Sequence, residues 1–173
     1  MPEFVKDRIR DAIMSGATFT DFETIPSSEL MQMREYMLES LQSDGWTIDG
    51  VADQLMQLDG VEDRGRAELI ARTETAATLN KSREIGYEEM GQEDSLFYWT
   101  GNKDGRETSA CAWLIDKTNP HEGGSPVPMD ELKELIDEAP THDPEMQDDI
   151  ARPDSFVVHP NERKTWVRHV TGP

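Results

Sequence analysis

The chain has 173 residues, which suits one domain or a domain with a short appendage and can bury a real core. It has no apolar run near the ~18 to 20 residues that cross a bilayer, and its start, "MPEFVKDRIR", does not read as a signal peptide. The single Cys111 excludes a disulfide framework and a two-thiolate zinc site, while 36 acidic against 17 basic residues give a net charge of −19.

In chain order, Val5, Ile9 and Ile13 recur at a spacing of four and predict a short amphipathic helix. The stretch "SGATFTDFETIP" then breaks it. Pro26 and Ser27 open a second helix over 28–43, with Leu30, Met33, Met37 and Leu41 on one stripe as core filling. A third helix, about 48–58, carries Val51, Leu55 and Leu58. A long fourth helix spans 62–90, with Gly91 as its stop. The aromatic, alternating "SLFYWT", 95–100, predicts a strand, and "GNKDG" a tight turn. "TSACAWLIDK" fits a short helix burying Ala110, Cys111 and Leu114. Residues 119–128 form a loop, and "MDELKELIDEA" a helix with Leu132, Leu135 and Ile136 inward. The polar, proline-punctuated "PTHDPEMQDDIARPD" is expected to be exposed. "SFVVHP" and "KTWVRHV" read as closing strands. Helices first and a helix-and-strand module second make the fold class α+β.

The acid excess needs a reading. Four tryptophans, five phenylalanines and clear helical periodicity argue against disorder. The acids run from Glu3 to Glu162 instead of forming one block, which argues against a decoy for a basic partner. The expectation is a folded protein adapted to high salt. At molar salt the Debye length falls to ~3 Å and self-repulsion is screened.

The long helix raises a sharper question, because "ARTETAATLNKSR" places Arg72, Thr73, Glu74 and Asn80 among alanines. Arg72 and Glu74 lie about 200° apart around a helix, so at least one charge must reach toward another element. The alanines at 71, 76 and 77 permit close approach. Asp104, Arg106, His159 and Asn161 are the candidate partners. One reading is a polar brace docking the helix on the strands; the other is an active site of Arg72, Glu74 and His159. The brace is preferred, since perturbed ionic clusters also arise structurally. In "HPNERKTW", His159 before Pro160 is held extended, and Asn161 suits a turn. His159 has the chemistry of a base or metal ligand. Yet Cys111, His121, His142 and His169 share no ligand spacing, so no metal and no cofactor is expected. There is no glycine-rich phosphate loop and no Ser or Cys nucleophile motif.

Taken together, "LIARTETAATLNKSREIGYEEMG", "FYWT", "DGRETSACAWL" and "HPNERKTWV" resemble the phage Mu F-like minor head protein domain. The likeness covers about residues 28–170 and rests on the order and spacing of these motifs. By position, Arg72, Thr73 and Glu74 match the helix motif, Asp104 and Arg106 the middle one, and His159, Pro160 and Asn161 the last. The resemblance divides the chain into an N-terminal helix and linker, 1–26, and a head morphogenesis domain, 27–173. It implies a minor capsid component of a tailed virus, with a haloarchaeal host on the salt argument. Such a protein sits inside the virion head near the portal and acts in head assembly, DNA packaging or ejection, with no catalytic role for the motif residues. Where relatives carry paired cysteines, this chain has only Cys111, with Glu162 and Lys164 at the later positions, so any metal or disulfide clamp is lost. The portal protein is the implied partner, reached through the apolar stripe Phe4, Val5, Ile9 and Ile13. The competing classes are a nuclease or toxin-like effector using Arg72, Glu74 and His159, and a DNA-binding assembly factor. The latter lacks a basic stripe and carries the wrong net charge.

Overall fold

Asp63 begins the helix that organises the molecule: its side chain accepts a hydrogen bond from the Arg66 amide at 2.9 Å, satisfying one of the free N–H groups of a first turn. In the computed structural model, the described residues are 3–14, 27–42, 47–58, 61, 63–102, 105–146, 151–159 and 163–170. Six α-helices lie among them: α1 (Glu3–Met14), α2 (Ser27–Gln42), α3 (Ile48–Leu55), α4 (Arg64–Glu89), α5 (Ser109–Thr118) and α6 (Met129–Glu138). Two strands, β1 (Phe97–Thr100) and β2 (Thr165–Arg168), pair antiparallel with Trp99 opposite Trp166. The fold is α+β.

α4 has no single apolar face, because it serves two cores. Ala67, Ile70 and Ala71 join Met33, Val51, Ala52, Leu55 and Val61 in a small helical core with α2 and α3. Further along, Tyr87 packs on a larger core built from β1, β2, α5 and α6, including Phe97, Trp99, Leu114, Leu132, Ile136, Phe156 and Trp166. Tyr87, Phe97, Phe156 and Trp166 touch ring to ring, with Phe97 edge-on to Trp166 at 5.1 Å. Such tilted contacts suit the ring quadrupoles. α4 ends where Gly91 takes φ +62°. The Gln92 amide bonds the Tyr87 carbonyl and the Gly91 amide the Glu88 carbonyl, both at 2.9 Å. These two bonds are a Schellman close, in which a left-handed glycine lets the chain turn back on the last carbonyls.

Two expectations change. "SFVVHP" is not a strand: Pro153–Ser155 forms a 3-10 turn, and Phe156 takes φ +52°. Arg152 and Val157 then close on each other through paired backbone bonds, so the apolar run folds on itself instead of joining the sheet. The stretch 139–146 is not simply exposed. Ala139, Pro140, Asp143 and Met146 are buried, and Asp143 accepts from the amides of Ser109 and Glu145 at 2.8 and 3.0 Å. α1 packs on α4 and α2, Arg8 pairs with Glu88 and Glu89, and Arg34 of α2 donates to the Met14 carbonyl at 3.2 Å. The side chains of Phe4, Val5, Ile9 and Ile13 lie outside the described residues.

Candidate functional site

The polar residues of α4 do three separate things along its length. Glu74 is fully buried and meets the Arg152 guanidinium end-on, with Nη2 to Oε1 at 3.2 Å and Nη1 to Oε2 at 3.5 Å. A carboxylate this deep needs such a partner, because an unpaired charge in a low-dielectric interior is costly. Thr73 is buried and turns its hydroxyl back to the Leu69 carbonyl at 2.8 Å, which silences it within the helix.

Two turns on, Asn80 is buried and bonded at both atoms of its amide. Its Nδ2 donates to the Phe156 carbonyl at 2.9 Å. Its Oδ1 accepts from the Thr165 hydroxyl at 2.7 Å and from Arg83 Nη1 at 3.2 Å. Arg83 also donates to the Thr165 hydroxyl and to the Trp166 carbonyl. Asn80 thus holds the left-handed turn at Phe156 and the start of β2 at once. Burial lowers the Arg83 pKa from the ordinary arginine value, with Tyr87 opposing weakly; an arginine so placed keeps its charge at neutral pH. A third group, Glu84, is buried between Lys81 at 2.5 Å and Lys133 at 2.6 Å.

Glu74 is the charge that reaches across to another element, and Arg152 meets it. Arg72 is half-exposed and pairs with Glu68 one turn back at 3.6 Å. Arg106 is exposed, and its carbonyl accepts from Arg163 Nη2 at 3.4 Å. His159 is half-buried at the end of the turn. Asp104, Pro160 and Asn161 lie outside the described residues. Arg152 went unread because it follows a polar, proline-rich stretch 78 residues from Glu74. Arg83 had a legible signal, lying three residues after Asn80 on the same helix face.

Beside Asn80 a cleft of about 350 Å³ opens, walled by Arg72, Thr75, Ala76, Leu79 and Arg83 of α4, by Ile48, and by Arg163, Lys164 and Thr165. Among the described residues no group of three or more His, Cys, Asp or Glu is placed to hold a metal ion, and no helix is long and apolar enough to cross a membrane. Comparisons with family models, with curated proteins and with solved structures find no match to this chain.

Proposed function

We propose that the chain is a minor head protein of a tailed virus, bound at the portal inside the head and acting in head assembly or in DNA packaging or ejection. No family model matches, so the reading rests on the ordered motifs and on one feature of the fold that supports them. The first motif meets the last: Asn80 of "RTETAATLN" bonds Thr165 of "HPNERKTW", and Arg83 reaches Trp166 of the same segment. Residues 85 positions apart thereby act as one clasp. Motifs consumed in holding a helix to a module suit a structural component. They suit the enzyme alternative poorly, because Glu74 is fully buried against Arg152 and out of reach of any substrate.

The test is compositional and physical. Purified virions should contain the protein in few copies per head, and it should co-purify with the portal at the salt in which both fold. Detection in infected cells but not in virions would end the proposal. Deleting residues 1–16 then asks whether α1, which also packs on α2 and α4, is the portal contact. Full packaging of a folded truncation would assign the contact elsewhere.

A further inference from the structure

The cleft beside Asn80 is out of character with the rest of the molecule. In a chain of net charge −19, its walls hold Arg72, Arg83, Arg163 and Lys164 and, among the described residues, no carboxylate. Half-buried Arg83 lines it, and its partners are neutral oxygens: the Asn80 amide, the Thr165 hydroxyl and the Trp166 carbonyl. A half-buried guanidinium satisfied only by neutral acceptors leaves its charge available to an anion. A second observation points the same way. Thr75 also lines the cleft; it is 6% exposed, and its buried hydroxyl has no hydrogen-bond partner. Such a group is costly unless a partner arrives.

We propose that this cleft binds a phosphoryl group, either as the free anion or as the monoester of a small molecule. The donor set decides between anions. Arg83 and the Thr75 hydroxyl supply donors, and Arg72, Arg163 and Lys164, which pair with Glu68 and with the Arg106 and Asn102 carbonyls in the ligand-free chain, add positive charge; a phosphoryl group presents three strong acceptors to this set, against the two oxygens of a carboxylate. Size decides between ligands. About 350 Å³ falls at the low end for small-molecule sites, enough for the phosphoryl group and a modest organic part against Leu79, Ala76 and Ile48. Long nucleic acid is disfavoured, because the net charge of −19 repels a polyanion.

Calorimetric titration of the full chain at one fixed KCl concentration tests this, with inorganic phosphate, adenosine monophosphate, acetate and a single-stranded oligonucleotide as probes. Phosphate and the monoester should each bind one to one. Tighter binding of the monoester assigns the organic part to the apolar wall; equal binding assigns the free anion. Arg72→Gln and Arg163→Gln, both on the accessible rim, should each weaken binding about tenfold, the usual loss for one charge-assisted hydrogen bond. Thr75→Val should also weaken phosphate binding while leaving the ligand-free protein equally or more stable, which a merely structural threonine would not do. Lys117→Gln, on α5, should change nothing. The proposal is overturned if neither phosphate nor the monoester binds, if the rim variants bind as the parent does, if acetate matches phosphate, or if the oligonucleotide binds where the monoester does not.

Discussion

At the scale of single residues, the pair Glu74–Arg152 is asymmetric, and the asymmetry is measurable. Glu74 has no exposure, while the Arg152 side chain keeps 18%. Removing Arg152 strands a buried carboxylate, so Arg152→Met should cost ~3 to 5 kcal/mol in urea unfolding. Replacing both partners with apolar residues of similar size should recover much of that loss, since no buried charge then remains. A double variant as unstable as Arg152→Met would mean that the ion pair itself, not the stranded charge, carries the stability. Arg72 makes the contrast. Its pair with Glu68 is exposed and one turn away, so Arg72→Ala should cost no more than ~0.5 kcal/mol. A loss of several kcal/mol would restore Arg72 to the brace. Asn80 is the position where a neutral side chain matters most. Asn80→Leu takes partners from the Phe156 carbonyl, the Thr165 hydroxyl and Arg83 together, at ~1 to 3 kcal/mol for each group left buried and unpaired.

At the scale of elements, β1 shows how a two-stranded sheet avoids a raw edge. One side pairs with β2. On the other, Phe97 exchanges backbone bonds with Val127 at 2.8 and 2.9 Å. Beyond Val127, two side chains stand in for a strand: the Thr118 hydroxyl accepts from the Trp99 amide at 2.9 Å, and Asn119 Nδ2 donates to the Trp99 carbonyl at 3.3 Å. Thr118→Val should therefore cost ~1 to 3 kcal/mol, and the Trp99 amide should lose protection in hydrogen exchange; unchanged protection would show that another acceptor serves it. The loop that brings this about depends on Gly124, where a Cβ would stand 2.6 Å from the Asp116 carbonyl oxygen. How far such elements could be read in advance follows from where their determinants lie. α4 was legible to within two residues because Asp63 and Gly91 mark its ends locally, and β1 and β2 because their aromatic and β-branched residues favour strands. The turn at Phe156 was not, since its apolar run imitates a strand, and part of what holds it is the Asn80 amide, 76 residues away. The burial of Asp143 was equally hidden, as it answers the open first turn of α5, a demand made 34 residues earlier.

At the scale of the whole molecule, one helix joins two cores of unequal size, and the surface around both is acidic. The helical core rests on alanines and a few larger side chains, so it has less burial to set against repulsion than the aromatic core has. Surface ion pairs oppose that repulsion. Arg64 alone meets Asp49, Asp53 and Glu68, yet exposed pairs contribute only ~0 to 1 kcal/mol each. With 36 acids to 17 bases, most carboxylates have no basic residue to meet. Lowering salt from molar to ~0.01 M extends the reach of each uncompensated charge from ~3 to ~30 Å, so repulsion that was local becomes global. Helicity and Tm should therefore fall as KCl is lowered from multi-molar to millimolar, and the α2–α3–α4 part should open before the strand module. Circular dichroism tracks the helices, and near-ultraviolet signals from Trp99 and Trp166 track the aromatic core. A Tm independent of KCl would remove the high-salt reading. Coincident loss of both signals would keep that reading but show that α4 couples the two cores into one cooperative unit.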